Sequence, residues 1–595
     1  DNYSDYGFAY NGQGDQTSVD NAGTPGAPHV VLTNQFDALG NRTSLAATLN
    51  GTADFINNYS YDTLSRLRDI AQQGQTGGNA VAPKSIYIGL NGAGDITALN
   101  YANTVSAGPQ QTSPGYVTLT YSPTTGLLTG MNDTANGASI DNLAYTYDAL
   151  GRVSTFTSID GTATYGYDNT SQLVSAAYTT ATGGHQPVNV SFTWDANGNN
   201  AAPGNVVSPN NEVTNDGTYT YTFDADGNRT SRTNISSAYA TDYKTTYTWD
   251  YRNRLTDVEF FDNNNVLTKH VHYVYDVYDN LLEEDLDPNG GGTYTTKDQF
   301  VLDVQAKTPA AGNAPLERFD VSGNVVPLLP DDVLMELVNN QLTERFLNGP
   351  SRSGAADVIY AEGAVASLTQ PDSVDWIFAN NQGSPTDVVN SSGTLIDHEV
   401  YSPFGQVAYA SNPGVFLLQG FSGGYSDPNT GLIKFGERWY DPLTTVWISV
   451  DPAALNAGGL NLTRYVRNDP SNASDPSGLL GLPTDQDSSS KSVWAALRNG
   501  QWQTARDLID DIARHLNPSD KCILQGLRSA IKQIQSLDKW RKQMQGFSRK
   551  QKLEQIKSLE KTLEKHLKVR DACDTPETYR MRYQIDFLKR LTGAE

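Results

Sequence analysis

Cysteine is almost absent from this sequence: 595 residues carry two, Cys522 and Cys573, both in the last quarter. No disulfide framework can therefore hold the long stretch before them together. At 51 positions apart, the two read as ordinary buried thiols. Methionine is also scarce, at 4, and only 38% of residues are hydrophobic. No run approaches the roughly 18 apolar residues of a membrane span. The start shows neither the basic segment nor the apolar segment of a signal peptide. It opens in what reads as the middle of a repeat, so a longer or processed protein is expected. What is plentiful is Gly (52) and Tyr (32), beside much Asn and Thr, the make-up of a turn-rich all-β chain.

The tyrosines are not scattered. They fall into a frame of aromatic, any residue, aromatic, Asp, a short polar turn and then a branched apolar residue. It reads Tyr59-Ser60-Tyr61-Asp62 with Arg66-Leu67, and Tyr145-Thr146-Tyr147-Asp148 with Gly151-Arg152-Val153. It recurs as Tyr165-Gly166-Tyr167-Asp168, Phe192-Thr193-Trp194-Asp195, Tyr221-Thr222-Phe223-Asp224, Tyr247-Thr248-Trp249-Asp250 and Tyr273-Val274-Tyr275-Asp276. The last five aspartates follow one another at 27, 29, 26 and 26 residues. A fixed period of this size marks one structural unit stacked many times. Aromatics two apart share a strand face. The Asp and the Gly or Asn after it are turn chemistry, with Asp capping the turn and Gly or Asn accepting positive φ. Each unit is thus expected to be a β-hairpin, joined edge to edge with the next into one long curled sheet. A generic β-sandwich is the alternative, but sandwiches do not repeat one dipeptide in register.

The net charge of −24 hides two opposite parts. Residues 480–595 hold 22 Lys and Arg against 15 Asp and Glu, while residues 1–479 hold 20 against 51. The aromatic-Asp frame stops at the same boundary, and Leu, Lys, Gln and Arg take over. Two segments of different character meet near residue 480.

Upstream of that junction the motifs become specific. Arg345-Phe346-Leu347-Asn348-Gly349-Pro350 is followed by Gln382-Gly383-Ser384-Pro385, Tyr401-Ser402-Pro403-Phe404-Gly405 and Asp427-Pro428-Asn429-Thr430-Gly431-Leu432. Gly436-Glu437-Arg438-Trp439-Tyr440-Asp441-Pro442, Ser449-Val450-Asp451-Pro452 and Asp475-Pro476-Ser477-Gly478-Leu479 come next. In this order they resemble the Rhs/YD-repeat family with its Rhs-associated core, over about four fifths of the chain. The relatives include Rhs effectors, toxin-complex C components, wall-associated proteins and teneurin-like shells.

The resemblance implies a mainly β chain whose repeats wind into a hollow shell, or β-cocoon. It implies three parts: a repeat shell over residues 1–343, a core that plugs it over 344–479, and a variable C-terminal domain from 480 to 595. That domain would be the payload, usually a toxin, enclosed by its own shell. A secretion apparatus and an immunity protein are the further partners implied, with a bacterial protein that is secreted or on the cell surface. About 340 residues of repeat are short for full enclosure, so a partial shell is a live alternative. So is a structural or adhesive surface protein with a harmless helical tail.

The same resemblance makes the core an aspartyl autoprotease cutting between Leu479 and Leu480, with Asp451 and Asp475 as the catalytic pair. Two carboxylates held close cannot both ionise cheaply, so one can act as base and the other as acid. Asp-Pro also simply opens turns. The first copy reads Asp451-Pro452-Ala453-Ala454-Leu455, without the Gly found in the second, and Asp469 is a third acid close by. Ala379-Asn380-Asn381 stands where relatives commonly carry Asp-His ahead of Gly-Ser.

The tail reads as four helices with breaks near Asn517-Pro518 and Pro576, a small all-α bundle. Its basic run Lys539, Arg541, Lys542, Arg549, Lys550 and Lys552 could meet nucleic acid, but a solvated helix face is the favoured reading. His515 and His566 have no ligand-spaced partners, and no cofactor or metal is expected. Asp195 and Asp224 begin stretches like calcium loops, yet Val206 and Ile235 stand where the closing Glu belongs. His270 and His272 share a strand face, where a wall position is favoured over metal ligation.

Overall fold

The computed structural model describes residues 4–92, 94–105, 108, 114–236, 242–276, 278–303, 318–319, 325–326, 333–349, 359–452, 461–479 and 482–483. All of them fall in the compact unit Asp1–Gln486. The helices expected after residue 483 lie outside the described residues.

The described chain is almost wholly β. Fifteen strands, from Gly7–Tyr10 to Val190–Ser191, form one antiparallel sheet in strict sequence order. Sixteen more, from Asn205–Val207 to Val407–Ala410, form a second, again each beside the next. Among the described residues no helix is long and apolar enough to cross a membrane.

The repeat frame explains this local order. In each turn one carboxylate oxygen of the Asp accepts from the backbone N–H groups two and four residues on. Asp148 takes Leu150 at 2.9 Å and Arg152 at 3.0 Å. Asp250 takes Arg252 at 2.8 Å and Arg254 at 3.0 Å. The other oxygen receives the side chain of the fourth residue: Arg152 Nε at 2.8 Å, Arg254 Nε at 2.7 Å, Asn228 Nδ2 on Asp224 at 3.0 Å. The residue before that one is left-handed, as Gly151 (φ 80°), Ser171 (φ 67°) and Asn253 (φ 60°) show. A short acidic side chain that satisfies its own turn is what this geometry requires.

The second aromatic of the frame has a separate task. Tyr61 Oη donates to Arg42 O at 2.9 Å, and Tyr167 Oη to Val153 O at 2.7 Å. Trp194 Nε1 reaches Leu173 O and Trp249 Nε1 reaches Arg229 O, both at 2.7 Å, and Tyr275 Oη reaches Leu255 O at 2.8 Å. In every case the acceptor is the first residue of a preceding return strand. Each unit is therefore tied backwards to an earlier one by a buried or half-buried polar rung, in addition to the strand ladder.

The single continuous sheet expected from the repeats is instead two. The break falls at the Phe192–Asp195 frame, where Trp194 and Asn200 form only an isolated bridge. Pro203 has no N–H for a ladder, and Gly204 turns left-handed at φ 99°. The turn-to-turn contact persists across the gap, since Asn199 Nδ2 donates to Asn211 Oδ1 at 2.9 Å.

The two sheets share a core. Leu32, Leu45 and Phe55 of the first pack with Leu334, Met335 and Leu337 of the second. Tyr101 stacks on Trp376 with ring centroids 5.2 Å apart. Buried ions cross the same boundary. Arg345, which opens the first core motif, grips Asp54 through Nε (2.7 Å) and Nη2 (2.9 Å), and Lys84 Nζ meets Asp372 at 2.7 Å.

Candidate functional site in the core segment

A small four-stranded sheet carries the site: Tyr425–Ser426, Ile433–Phe435, Arg438–Asp441 and Val446–Trp447. Along its third strand the side chains alternate between two environments. Trp439 and Asp441 face the large second sheet: Trp439 Nε1 donates to Tyr275 Oη at 2.9 Å, and Arg229 Nη1 pairs with Asp441 at 2.6 Å. Arg438 and Tyr440 face the other way, with Tyr440 among Phe421, Phe435, Trp447 and Tyr465.

Arg438 is where the expected site residues meet. Its Nη2 lies 3.0 Å from Asp451 Oδ2 and 3.2 Å from Asp475 Oδ2. Those oxygens are thus at most 6.2 Å apart, the sum of the two distances. Asp451 is 6% exposed, Asp475 2% and Arg438 3%. The guanidinium also lies over the Trp447 ring, 4.0 Å from its centroid. Burial pushes the Arg438 pKa down from its ordinary value, while Asp475 and Asp451 pull it up. The two aspartates predicted from the motifs are brought together, but with a cation on both of them.

The chain leading to the expected cut is held by the same groups. Arg438 Nε donates to Gly478 O, and Nη1 to Leu462 O at 3.2 Å. Asp475 Oδ1 accepts from Leu479 N–H and from Ser477 Oγ, each at 3.1 Å. Gly478 is left-handed at φ 66°, and Glu437 N–H donates to Ser477 O at 2.9 Å. Beyond the turn the backbone comes back: Leu482–Pro483 pairs antiparallel with Ala473–Ser474. Leu479 is half-buried, and Leu480 lies outside the described residues. So does the segment 453–460, where the first motif departs from the second.

Asp469 is elsewhere. It accepts from Asn472 Nδ2 at 2.6 Å, and burial pushes its pKa up to about 7, with Arg152 and Asp148 the nearest charges. Asn380 has a turn role, accepting from the N–H groups of Gln382 (2.9 Å) and Ser384 (3.2 Å). Asp195 and Asp224 spend their carboxylates on their own turns, as the repeat reading expects. His270 and His272 both bond Asp257 Oδ1, at 2.9 and 2.8 Å. The sequence marks Arg438 only as part of a motif. Its signal was a lone Arg between aromatic and acidic strand positions, which no spacing rule singles out.

Comparison with known proteins places this architecture. The family model for the teneurin YD-shell matches residues 347–470. Toxin subunit YenC2 of Yersinia entomophaga is 36% identical over 115 residues, 19% of this chain and 12% of that protein. Teneurin-3 of Danio rerio is 35% identical over 100 residues, 16% of this chain and 4% of that one. The crystal structure of TcdB2-TccC3-TEV matches with a TM-score of 0.52 at 19% identity, over 79% of this chain and 23% of that one. Over its core segment, and in fold, the chain is similar to Rhs/YD-repeat shell proteins. The matches to the curated relatives span only a small fraction of their length. The YD-repeat motifs of the core now have structural assignments: Arg345 bridges the sheets, Asp441 docks the small sheet, and Arg438 gathers Asp451, Asp475 and the Gly478–Leu479 backbone.

Proposed function

We propose that this protein is a hollow YD-repeat shell that cuts its own chain between Leu479 and Leu480 and so frees residues 480–595 as an enclosed effector. The observation that carries the reading is the meeting of Asp451 and Asp475 on one Arg438 nitrogen, with the same arginine and Asp475 holding Gly478 O and Leu479 N–H. In this mechanism Asp451 takes a proton from water, and the hydroxide adds to the Leu479 carbonyl carbon. The proton passes to the leaving Leu480 nitrogen as the C–N bond breaks, and the second proton of the water follows from the new carboxyl group to that amine, leaving a Leu479 carboxylate and a Leu480 ammonium. Asp475 fixes the substrate backbone. Arg438, in contact with both carboxylates, offers positive charge to the developing oxyanion. That differs from a proton-sharing pair, because the cation between them offsets the repulsion such a pair depends on.

The setting is a protein secreted by a bacterium or held on its surface. The effector would meet an immunity protein in the producing cell, and its basic run could meet nucleic acid. Denaturing electrophoresis of the purified full chain tests the cut. A 116-residue fragment, positions 480 to 595, should separate under denaturation and disappear in Asp451→Asn, Asp475→Asn and Arg438→Gln. Intact chain in the wild type refutes the reading. Expression of residues 480–595 in bacteria tests the effector, and normal growth favours the structural surface role instead.

A further inference from the structure

Six consecutive strands of the second sheet each place one carboxyl group on the same face. They run Leu281–Asp287, Thr296–Leu302, Val333–Val338, Gln341–Asn348, Ile359–Ala364 and Ser373–Ala379. Their register sets the acids directly opposite one another in three pairs: Glu284 with Asp298, Glu336 with Glu344, and Glu362 with Asp375. The pairs are linked into one row, because Glu336 also faces Phe300, two residues from Asp298. Glu362 likewise faces Phe346, two residues from Glu344. Like charges directly opposite across strands repel, and all six are buried or half-buried.

A second stripe runs beside the row. Phe300, Phe346 and Ile377 stand two residues along from the acids, Val388 lies opposite Ile377, and all four pack under Leu417 and Leu418. The covering segment also binds the acids directly. Leu418 N–H donates to Glu362 Oε1 at 3.2 Å, and Tyr425 Oη and Asn429 Nδ2 donate to the two oxygens of Glu284 at 2.5 and 2.7 Å. The segment includes Tyr425–Ser426, the first strand of the small sheet that carries Arg438.

The charges around the row are mostly of the same sign. Asp427, on the covering segment, faces Glu284 and Asp298, and Asp285 adds to the field at Asp298. Asp372 and Lys84 act on Glu344 from the far side of the sheet, where they are paired with each other. Lys269 bonds Asn429 O at 2.5 Å and is the cation facing Glu284 and Asp427. Tyr273 donates its hydroxyl to Asp427. Among the described residues no salt bridge reaches any of the six carboxyls.

We propose that this carboxyl row is a pH-sensitive latch: protonated, it seats the segment Val415–Thr430 on the second sheet, and fully ionised, it loosens that segment. Burial is the main cause of the raised carboxyl pKa values, and neighbouring acids add to it. Asp298 and Asp375 lie at about 6, Glu336 at about 7 and Glu344 at about 8, with Glu284 and Glu362 also raised. A folded-state pKa above the unfolded one means the folded chain holds the extra protons. The row therefore costs least at acid pH, and its penalty grows from about pH 4 until the last member ionises. The latch is independent of whether the Leu479–Leu480 bond is cut.

Hydrogen exchange on the full-length protein tests it, with amide protection of residues 415–430 compared at pH 6 and pH 9 after correction for intrinsic rates. The expected result is at least a tenfold loss of protection in that segment at pH 9, with the strand Thr52–Tyr61 of the first sheet unchanged. In Glu336→Gln/Glu344→Gln the loss should shrink several-fold. Equal protection of the wild-type segment at both pH values overturns the proposal, as does a loss shared equally by Thr52–Tyr61. If the double variant does not fold, Glu344→Gln alone is read against the same wild-type profile. An undiminished loss in a folded variant also overturns the proposal.

Discussion

Removing the Arg345 guanidinium is the sharpest probe of how the two sheets are held. Arg345, Asp54, Lys84 and Asp372 all have side chains with 0% exposure. They form two cations and two anions, with Arg345 Nη1 3.7 Å from Asp372 as the link between the pairs. Arg345→Met keeps much of the apolar stem but leaves Asp54 without its two charge-assisted bonds and the cluster one positive charge short. Asn79 Nδ2, 2.7 Å from Asp54 Oδ2, offsets part of the loss. Breaking a buried pair from one side costs about 3–5 kcal/mol. The lower half of that range is expected here, because Asp54 keeps the Asn79 bond and Lys84 keeps Asp372. Asp54→Asn added to Arg345→Met should recover part of the cost, since the orphaned charge is then gone. Guanidinium denaturation followed by fluorescence reads the change locally, because Trp376 is buried in the same inter-sheet core. A cost below about 1 kcal/mol for the single variant, or a double variant that is strictly additive, would show that the network does not couple the sheets.

Tyr275→Phe deletes a hydroxyl that donates to Leu255 O and accepts from Trp439 Nε1, so it should cost about 1–3 kcal/mol in denaturant unfolding. His398 is held between Asp387 and Asp160, each at 2.9 Å. Burial works against its charge, but the two carboxylates win and raise its pKa to about 10. Its imidazole should show no NMR titration between pH 5 and 8. The stability it adds is complete below its unfolded value of about 6.5 and is lost as pH rises towards 10, a loss that His398→Gln should remove. Gly436→Ala places a Cβ against the Ser477 backbone at φ 41°. It should displace the Ser477–Leu479 turn and slow appearance of the 116-residue fragment, with far-UV circular dichroism unchanged; normal cleavage would argue against that turn as substrate.

The hairpins and their turns were legible because their causes are local. Asp148 and Gly151 lie within one turn, and the frame Tyr145-Thr146-Tyr147 exposes the strand period directly. The break after Ser191 was not, because the Phe192–Asp195 frame is intact there and the interruption comes from Pro203 and Gly204 further on. The pairing of Asp451 with Asp475 was readable from motif order. Arg438 between them was not, because the contact depends on which side of a four-residue strand faces inward. The same holds for Arg345 on Asp54 and for the carboxyl row. Alternation shows that Glu336 and Glu344 lie on some face, but only register across the sheet shows that they oppose each other.

The aromatic rungs have a direction. Tyr61, Tyr167, Trp194, Trp249 and Tyr275 each bond a strand that precedes them in the chain. A hairpin emerging during synthesis thus finds its anchoring carbonyl already made and never waits for one still to come. Assembly can proceed vectorially from the amino end, and losing one whole unit leaves its successor able to bond the unit before the gap.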